Sequence, residues 1–214
     1  MSKSSASGRK RIGVFGGTFD PPHLGHLVAA ETVREVHDLD EVIFIPAGVP
    51  PHKGAQVTAA RHRFLMTVLS VVGHPDFTVS RIELDRPPPS FTVDTLRQLR
   101  SERDDIDELY FILGADALLE LHTWKEPEEV LSLCRMVAVT RPGFSLEQLA
   151  ARLGELYTRH RERILITTIP ALDVSASDIR RRVREGRSIR YLVPDMVRDY
   201  ILSNKLYVGD DVTE

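Results

Sequence analysis

Residues 16–26 read Gly-Gly-Thr-Phe-Asp-Pro-Pro-His-Leu-Gly-His, and this stretch indicates the fold more strongly than any other part of the sequence. It follows a short apolar run, residues 12–15, and precedes a segment whose apolar residues have helical spacing. The order strand, glycine turn, helix is the context in which such a turn binds phosphate. Gly16 and Gly17 allow the backbone to approach a ligand closely, and the helix beyond them offers unpaired N–H groups.

Two histidines, His23 and His26, stand at the predicted start of this helix. Their spacing places both on one helix face, and two imidazoles beside a helix N-terminus form a cradle for polyphosphate. The ordinary alternative is that each is a helix cap or a surface residue. Two histidines directly after this glycine turn are harder to explain in that way, so the pattern indicates that both histidines have a functional role.

The composition is typical of one globular domain, with 214 residues, 42% of them hydrophobic and 28% charged. The net charge of −3 gives no general reason to expect nucleic-acid or membrane binding, so an anion site must be a local concentration of cations and N–H groups. The single cysteine, Cys134, rules out an internal disulfide and a cysteine-rich zinc site. It lies in an apolar run and is expected to be a buried strand residue.

We expect neither a signal peptide nor a membrane-spanning helix in this sequence. No stretch approaches the ~20 apolar residues of a membrane-spanning helix, and residues 1–11 lack the apolar region of a signal peptide. We expect residues 1–11 to be a leader, residues 12–207 to form one domain with a small helical C-terminal part, and residues 208–214 to be a tail. The cytoplasm is the default compartment.

Apolar β-type runs alternate with helical patterns along the chain. The predicted strands are residues 11–15, 41–46, 109–113, 135–140 and 164–168, and the predicted helices are 24–37, 59–72, 93–103, 145–157, 177–185 and 194–203. This alternation predicts an α/β fold with a Rossmann-like, doubly wound parallel sheet. Ligands of such sheets bind beyond the carboxyl ends of the strands.

Further candidate residues mostly follow predicted strands. Lys53 ends a proline-stiffened loop that on its own reads as ordinary surface, and Thr92 and Asp116 are plausible helix caps. Trp124 is the only tryptophan, and its polar neighbours argue against full burial. At the start of a late helix, small hydroxyls and an arginine could complete an anion cradle; these residues are Ser175, Ser177 and Arg180.

The Gly-Gly-x-Phe-x-Pro-x-His-x-Gly-His pattern resembles the nucleotidylyltransferases, which share a His-x-Gly-His signature with class I aminoacyl-tRNA synthetases. Within that superfamily the chain is most similar to the bacterial nicotinate-nucleotide adenylyltransferases. Four later segments match in the right order, namely residues 50–53, 90–96, 114–116 and 174–180. The last departs from the family pattern, with Ala176 in place of a serine and Ser177 in place of a threonine, while keeping two hydroxyls.

The resemblance implies adenylyl transfer from ATP to nicotinate mononucleotide. The catalytic residues would be His23, His26 and Arg180, in imidazolium form for the histidines because phosphate neighbours favour that form. The ATP-binding residues would be Gly16, Gly17, Thr18, Phe19, His23, His26, Gly114, Asp116, Arg141, Ser175, Ser177 and Arg180. The residues for nicotinate mononucleotide would be Gly17, Thr18, Lys53, Thr92, Trp124 and Lys125.

Within that set, the resemblance implies that the backbone N–H of Thr92 binds the nicotinate carboxylate and that Trp124 stacks on the pyridine ring. Mg²⁺ is expected with ATP, through phosphates and waters, with no protein ligand assigned. The substrates are the expected partners, and the oligomeric state stays open.

Other functions remain as alternatives. A sister transferase could act on nicotinamide mononucleotide or on phosphopantetheine, because the choice between acid and amide depends on backbone geometry. A module that binds ATP without turnover is the alternative from another class. An aminoacyl-tRNA synthetase is disfavoured, since the chain is short and has no Lys-Met-Ser-Lys-Ser-like loop.

Overall fold

A six-stranded sheet, parallel throughout, runs through the part of the chain that the computed structural model describes, residues 8–48, 57–140, 146–170 and 172–209. The strands are β1 (Lys10–Gly17), β2 (Glu41–Pro46), β3 (Phe77–Val79), β4 (Ile106–Gly114), β5 (Arg135–Thr140) and β6 (Ile164–Thr168). Their order is β3-β2-β1-β4-β5-β6. The expected Rossmann-like α/β fold is confirmed.

The strand order places the expected ligand site at the carboxyl ends of β1 and β4. The chain runs outward from β1 to β2 and β3, then returns to the other side of β1 and continues outward through β4, β5 and β6. In such sheets the crevice at the carboxyl ends, where the order reverses, is the usual ligand site. Gly16 and Gly17 pair with Ile45 and Pro46 at the carboxyl end of β2, so the glycine turn begins at this edge.

The helices among the described residues follow the strands in alternation. They are α1 (Leu24–Val36), α2 (Ala60–Val71), α3 (Thr92–Glu102), α4 (Ala115–Leu119), α5 (Pro127–Leu133), α6 (Leu146–Leu153), α7 (Glu155–His160), α8 (Ala176–Arg184) and α9 (Asp195–Ser203). None of these described helices is long and apolar enough to cross a bilayer.

Some boundaries differ from those predicted. The single helix predicted over residues 145–157 is two helices, because Gly154 takes a φ of +55° between them. The short elements β3 and α5 were not predicted. A helix was expected next to Asp116, but the N-cap of α4 is Gly114, so the prediction that Asp116 caps it is wrong. Proline at the first position of α5 is a start signal that could have located it. β1 begins inside the segment assigned to the leader, because the Lys10 N–H donates to the Asp105 carbonyl at 2.7 Å.

Apolar clusters cover both faces of the sheet. Alternate residues of β1 point to opposite faces, so Ile12 and Val14 belong to one cluster and Phe15 to the other. A third cluster packs α8 and α9 against Met66 of α2. Cys134 is fully buried as expected, but it lies immediately before β5 rather than within it, and burial raises the pKa of its thiol to about 12.

Candidate active site

A cavity of about 610 Å³ opens at the carboxyl edge of the sheet, which is within the usual size range of small-molecule sites. Seven predicted site residues line it, namely Gly16, Gly17, Thr18, Thr92, Gly114, Trp124 and Lys125. They come from the glycine turn, the start of α3, the end of β4 and the segment after α4. Residues distant in sequence therefore meet where the strand order predicts a ligand.

One wall of the cavity is aromatic. Trp124 is half-buried and meets Phe111 edge-on, with ring centroids 5.9 Å apart and planes at 85°. This contact fixes the indole, and aromatic packing of this kind adds about 0.5–1.5 kcal/mol beyond area burial. Beside it, the Lys125 ammonium lies 3.0 Å from the Asp94 carboxylate and 4.9 Å from the centroid of the Phe91 ring. This wall therefore provides a stacking surface for the flat ring of a ligand, with the Lys125 cation beside that surface.

The start of α3 supplies backbone donors to the cavity. Phe91, rather than Thr92, is the N-cap, and no side chain bonds to the helix start, so the prediction that Thr92 caps is wrong. The N–H groups of Asp94 and Thr95 donate to the Phe91 carbonyl, at 3.1 and 3.2 Å. Those of Thr92 and Val93 have no partner within the helix, because the first turn lacks preceding carbonyls. An anion is favoured here by these donors and by the helix dipole.

A half-buried carboxyl that sequence reasoning missed, Glu83, also lines the cavity. Burial raises its pKa, although it accepts hydrogen bonds from the Thr95 hydroxyl at 2.8 Å and from the Gly48 N–H. A Cβ on Gly48 would lie 2.6 Å from the Glu83 carbonyl oxygen, so only glycine fits where these two backbone segments come close together. Thr95 and Gly48 are distant in sequence, which is why no local pattern marked Glu83.

The two histidines stack on each other beside the cavity. Their ring centroids are 3.7 Å apart with an angle of 26° between planes, and the His23 N–H donates to Nδ1 of His26 at 3.1 Å. His23 is the N-cap of α1, and a Cβ on Gly25 would lie 3.0 Å from its Nδ1. The glycine of the His-x-Gly-His sequence therefore leaves room for the ring.

Burial favours the neutral form of both imidazoles. Burial lowers the pKa of His23 to about 4, and burial followed by the proximity of His23 lowers the pKa of His26. The imidazolium forms are predicted only beside phosphate, whose negative charge would raise the pKa of both rings. Because Nδ1 of His26 accepts a hydrogen bond, its proton lies on Nε2, which is a neutral donor. The buried Nδ1 of His23 has no hydrogen-bond partner among the described residues.

The side chain of Phe19 is buried rather than open to a ligand. Its side chain is 2% exposed and packs in the apolar cluster, with its ring centroid 5.1 Å from that of His26. Gly17 is needed beneath it, since a Cβ there would come within 3.0 Å of the Phe19 ring. The Phe19 ring packs edge-on against His26, so a contact of Phe19 with ATP can come only from its backbone.

The start of α8 lies next to the start of α1. The Val174 carbonyl is 4.0 Å from the position a Cβ on Gly25 would occupy. Ser175 caps α8 by accepting the Asp178 N–H at 3.2 Å, and its hydroxyl lies 3.1 Å from that of Ser177. Arg180 donates to the Asp20 carbonyl of the glycine turn at 2.6 Å. Two helix starts and a guanidinium therefore converge beside the histidines.

A second missed residue, Arg63, joins the loops of the site. It is 1% exposed and donates to the carbonyls of Thr58, Thr18 and Gly48 at 2.8, 2.9 and 2.8 Å. Burial lowers the pKa of its guanidinium. Thr18 lies in the glycine turn and Gly48 follows β2, so one side chain holds both loops. Its helical position gave no sign of this role.

The remaining predicted residues are not all at the cavity. His23, His26, Ser175, Ser177 and Arg180 form the adjacent cluster just described, whereas Asp116 is exposed in the first turn of α4. Lys53 and Arg141 lie outside the described residues. No group of three or more histidine, cysteine or carboxylate side chains is placed to hold a metal ion within the described ranges.

The sequence matches the family model described as cytidylyltransferase-like over residues 14–182. A protein of Thermoanaerobacter sp. named "Probable nicotinate-nucleotide adenylyltransferase" is 46% identical over 202 residues, which cover 94% of this chain and 96% of that relative. A protein of Nocardioides sp. with the same name is 49% identical over 193 residues, covering 90% and 91%.

Solved structures give the same fold. The Plasmodium falciparum nicotinic acid mononucleotide adenylyltransferase complexed with NaAD superposes with a TM-score of 0.73, covering 93% of this chain and 98% of that one. Its sequence identity is 20%, so this likeness shows the fold alone.

Proposed function

This chain belongs to the cytidylyltransferase-like family, and we propose that it transfers AMP from ATP to nicotinate mononucleotide, giving nicotinate adenine dinucleotide and pyrophosphate in NAD biosynthesis. One observation supports this most directly: the glycine turn that lines the cavity walled by Trp124 and the start of α3 continues into the stacked His23 and His26. The enzyme is a nucleotidyltransferase, as the names of its relatives state for them.

The reaction needs no protein nucleophile. An oxygen of the 5′-phosphate of nicotinate mononucleotide forms a bond to the α-phosphorus of ATP. The bond from that phosphorus to the α,β-bridging oxygen breaks, and its electron pair leaves on pyrophosphate. The protein's work is to bring two polyanions together and to stabilise charge on the leaving group. Positioning can lower such a barrier by about 7–11 kcal/mol, and each preorganised donor contributes about 3–4 kcal/mol.

The cavity is the site for nicotinate mononucleotide. The N–H of Thr92 would bind the nicotinate carboxylate, since helix-start donors favour an anion over a carboxamide. Trp124 would stack on the pyridine ring. Around these two groups the mononucleotide would also contact Gly17, Thr18, Lys125 and Lys53, the last of which lies outside the described residues.

The histidine cluster is the site for the ATP phosphates. Nε2–H of His26 and the imidazole of His23 would bond the bridging and α-phosphate oxygens, and Arg180 would hold the outer phosphates. The starts of α1 and α8 add backbone donors. The other proposed ATP contacts are Gly16, Gly17, Thr18, the Phe19 backbone, Gly114, Asp116, Arg141, Ser175 and Ser177. Mg²⁺ would be held by phosphate oxygens and water rather than by protein carboxylates.

Pyrophosphate release from ATP tests this function. With Mg²⁺ and nicotinate mononucleotide we expect stoichiometric release together with nicotinate adenine dinucleotide. Reactions without acceptor and with phosphopantetheine serve as controls and should be silent. Release only with phosphopantetheine would replace the substrate, and ATP binding with no release under any condition would leave a nucleotide-binding module instead of an enzyme.

A further inference from the structure

A buried carboxylate, Asp20, lies within the glycine turn and is 4% exposed. Its Oδ1 accepts the Tyr207 hydroxyl at 2.7 Å, and its Oδ2 accepts the Thr58 N–H at 3.2 Å. Its backbone carbonyl accepts from the Arg180 guanidinium at 2.6 Å. Asp20 is therefore held from three separate parts of the chain, and none of these bonds is used in the chemistry described above.

The partner hydroxyl comes from near the end of the described chain. Tyr207 is 187 residues from Asp20 and follows α9. Its backbone has a φ of +64°, and its oxygen lies 3.8 Å from Sδ of Met66. Burial and the neighbouring Asp20 carboxylate raise the pKa of Tyr207, so the hydroxyl stays protonated and remains a donor.

This bond lies next to the residues that are proposed to hold the ATP phosphates. Asp20 stands three positions before His23 in the same turn, and Arg180 bonds to the carbonyl of that same residue. A shift of Asp20 would therefore displace both groups proposed to hold the ATP phosphates. The contacts proposed for nicotinate mononucleotide are anchored separately: Trp124 packs on Phe111, and the Thr18 carbonyl accepts a hydrogen bond from Arg63 at 2.9 Å.

We propose that Asp20 and Tyr207 are positioning residues for ATP: their buried hydroxyl–carboxylate bond fixes the turn that carries the two histidines and that anchors the Arg180 guanidinium of α8. The inference rests on the proposed function. It predicts that loss of this bond weakens ATP binding and turnover while the affinity for nicotinate mononucleotide is kept. A general loss of folded protein would change neither affinity, since it lowers only the active fraction.

Tyr207→Phe removes the hydroxyl and keeps the ring. The matched control is Tyr200→Phe, because the Tyr200 hydroxyl also joins the C-terminal part to α2, 2.8 Å from Nδ1 of His62, without touching the site. The Kd of ATP is measured by titration calorimetry. The Kd of nicotinate mononucleotide is measured from the fluorescence of Trp124, the only tryptophan.

For Tyr207→Phe we expect the Kd of ATP to rise and kcat to fall, each by about tenfold or more, since a displacement near 1 Å can cost about 10²-fold. The Kd of nicotinate mononucleotide should stay as in the wild type, and Tyr200→Phe should match the wild type throughout. In an Asp20→Ala background, Tyr207→Phe should add little, because the two groups act through one bond.

Wild-type ATP affinity in Tyr207→Phe would overturn the inference, as would equal weakening of both ligands or full additivity with Asp20→Ala. These outcomes are separate from failure of the proposed function. A wild-type chain that binds ATP without releasing pyrophosphate would refute that function alone, and the affinity comparison would still decide the role of Tyr207.

Discussion

Two replacements of His26 separate the two roles of its ring. In the structure Nδ1 of His26 accepts the backbone N–H of His23 at 3.1 Å, which leaves Nε2–H of His26 as a donor. The amide oxygen of asparagine can take the place of Nδ1, whereas the amide nitrogen of glutamine reaches the place of Nε2. His26→Asn therefore keeps the bond at the helix start and loses the phosphate donor, and His26→Gln does the reverse.

We expect the Nε2–H donor to matter more for catalysis than the bond at the helix start. Removing one preorganised donor from a transition state costs about 10²–10³ in kcat, so we expect a loss of that size in His26→Asn with little change in the free energy of unfolding beyond that of the ring contacts. His26→Gln should keep more turnover and lose about 1 kcal/mol more stability, as for a missing N-cap bond. Both variants lose the ring contacts with His23 and Phe19, so that effect cancels in the comparison.

Single-turnover pyrophosphate release measures the chemistry, and urea unfolding measures the stability. Wild-type turnover in His26→Asn would refute the reasoning. A glutamine variant less active than the asparagine variant would also refute it, because the neutral Nε2–H would then not be the catalytic group.

Three further predictions concern stability. Gly48→Ala should destabilise the fold by about 1–3 kcal/mol, since its Cβ would lie 2.6 Å from the Glu83 carbonyl; an unchanged urea midpoint would contradict this. Arg63→Met should cost about 3–5 kcal/mol, because three backbone carbonyls lose the buried guanidinium that donates to them. Calorimetric melting measures this cost, and a loss under 1 kcal/mol would contradict the prediction. Because the pKa of His23 is lowered in the folded state, the unfolded chain binds more protons than the folded chain between about pH 6.5 and 4. The free energy of unfolding therefore falls as pH falls through that window, by up to ~3 kcal/mol from this group. A His23→Gln variant whose stability has the same pH dependence as the wild type would contradict the assignment of this effect to His23.

The sequence predicted those features that depend on neighbouring residues. The glycine turn and the two histidines occupy one short stretch, and the turn continues directly from β1, so their placement follows from local order. The alternation of strands and helices was enough for the parallel sheet. Gly154 divided a helix that apolar spacing alone predicts as continuous, because the pattern carries no information on its positive φ.

The missed residues depend on partners far along the chain. Arg63 bonds to carbonyls 15 and 45 residues away, and Glu83 bonds to a hydroxyl 12 residues away, so neither is marked by its own surroundings. Phe19 matched a motif, but its buried ring packs beneath His26 instead of facing a ligand. A motif identifies which residues belong to a site, whereas the tertiary structure decides which of their atoms face the ligand.

The most direct test of the account compares kcat/KM for nicotinate mononucleotide and nicotinamide mononucleotide, with ATP and Mg²⁺. A charge at a helix start is worth up to ~2 kcal/mol, so the donors at Thr92 predict a preference of about tenfold or more for the acid. Equal values, or a preference for the amide, would contradict the claim that the start of α3 reads the carboxylate.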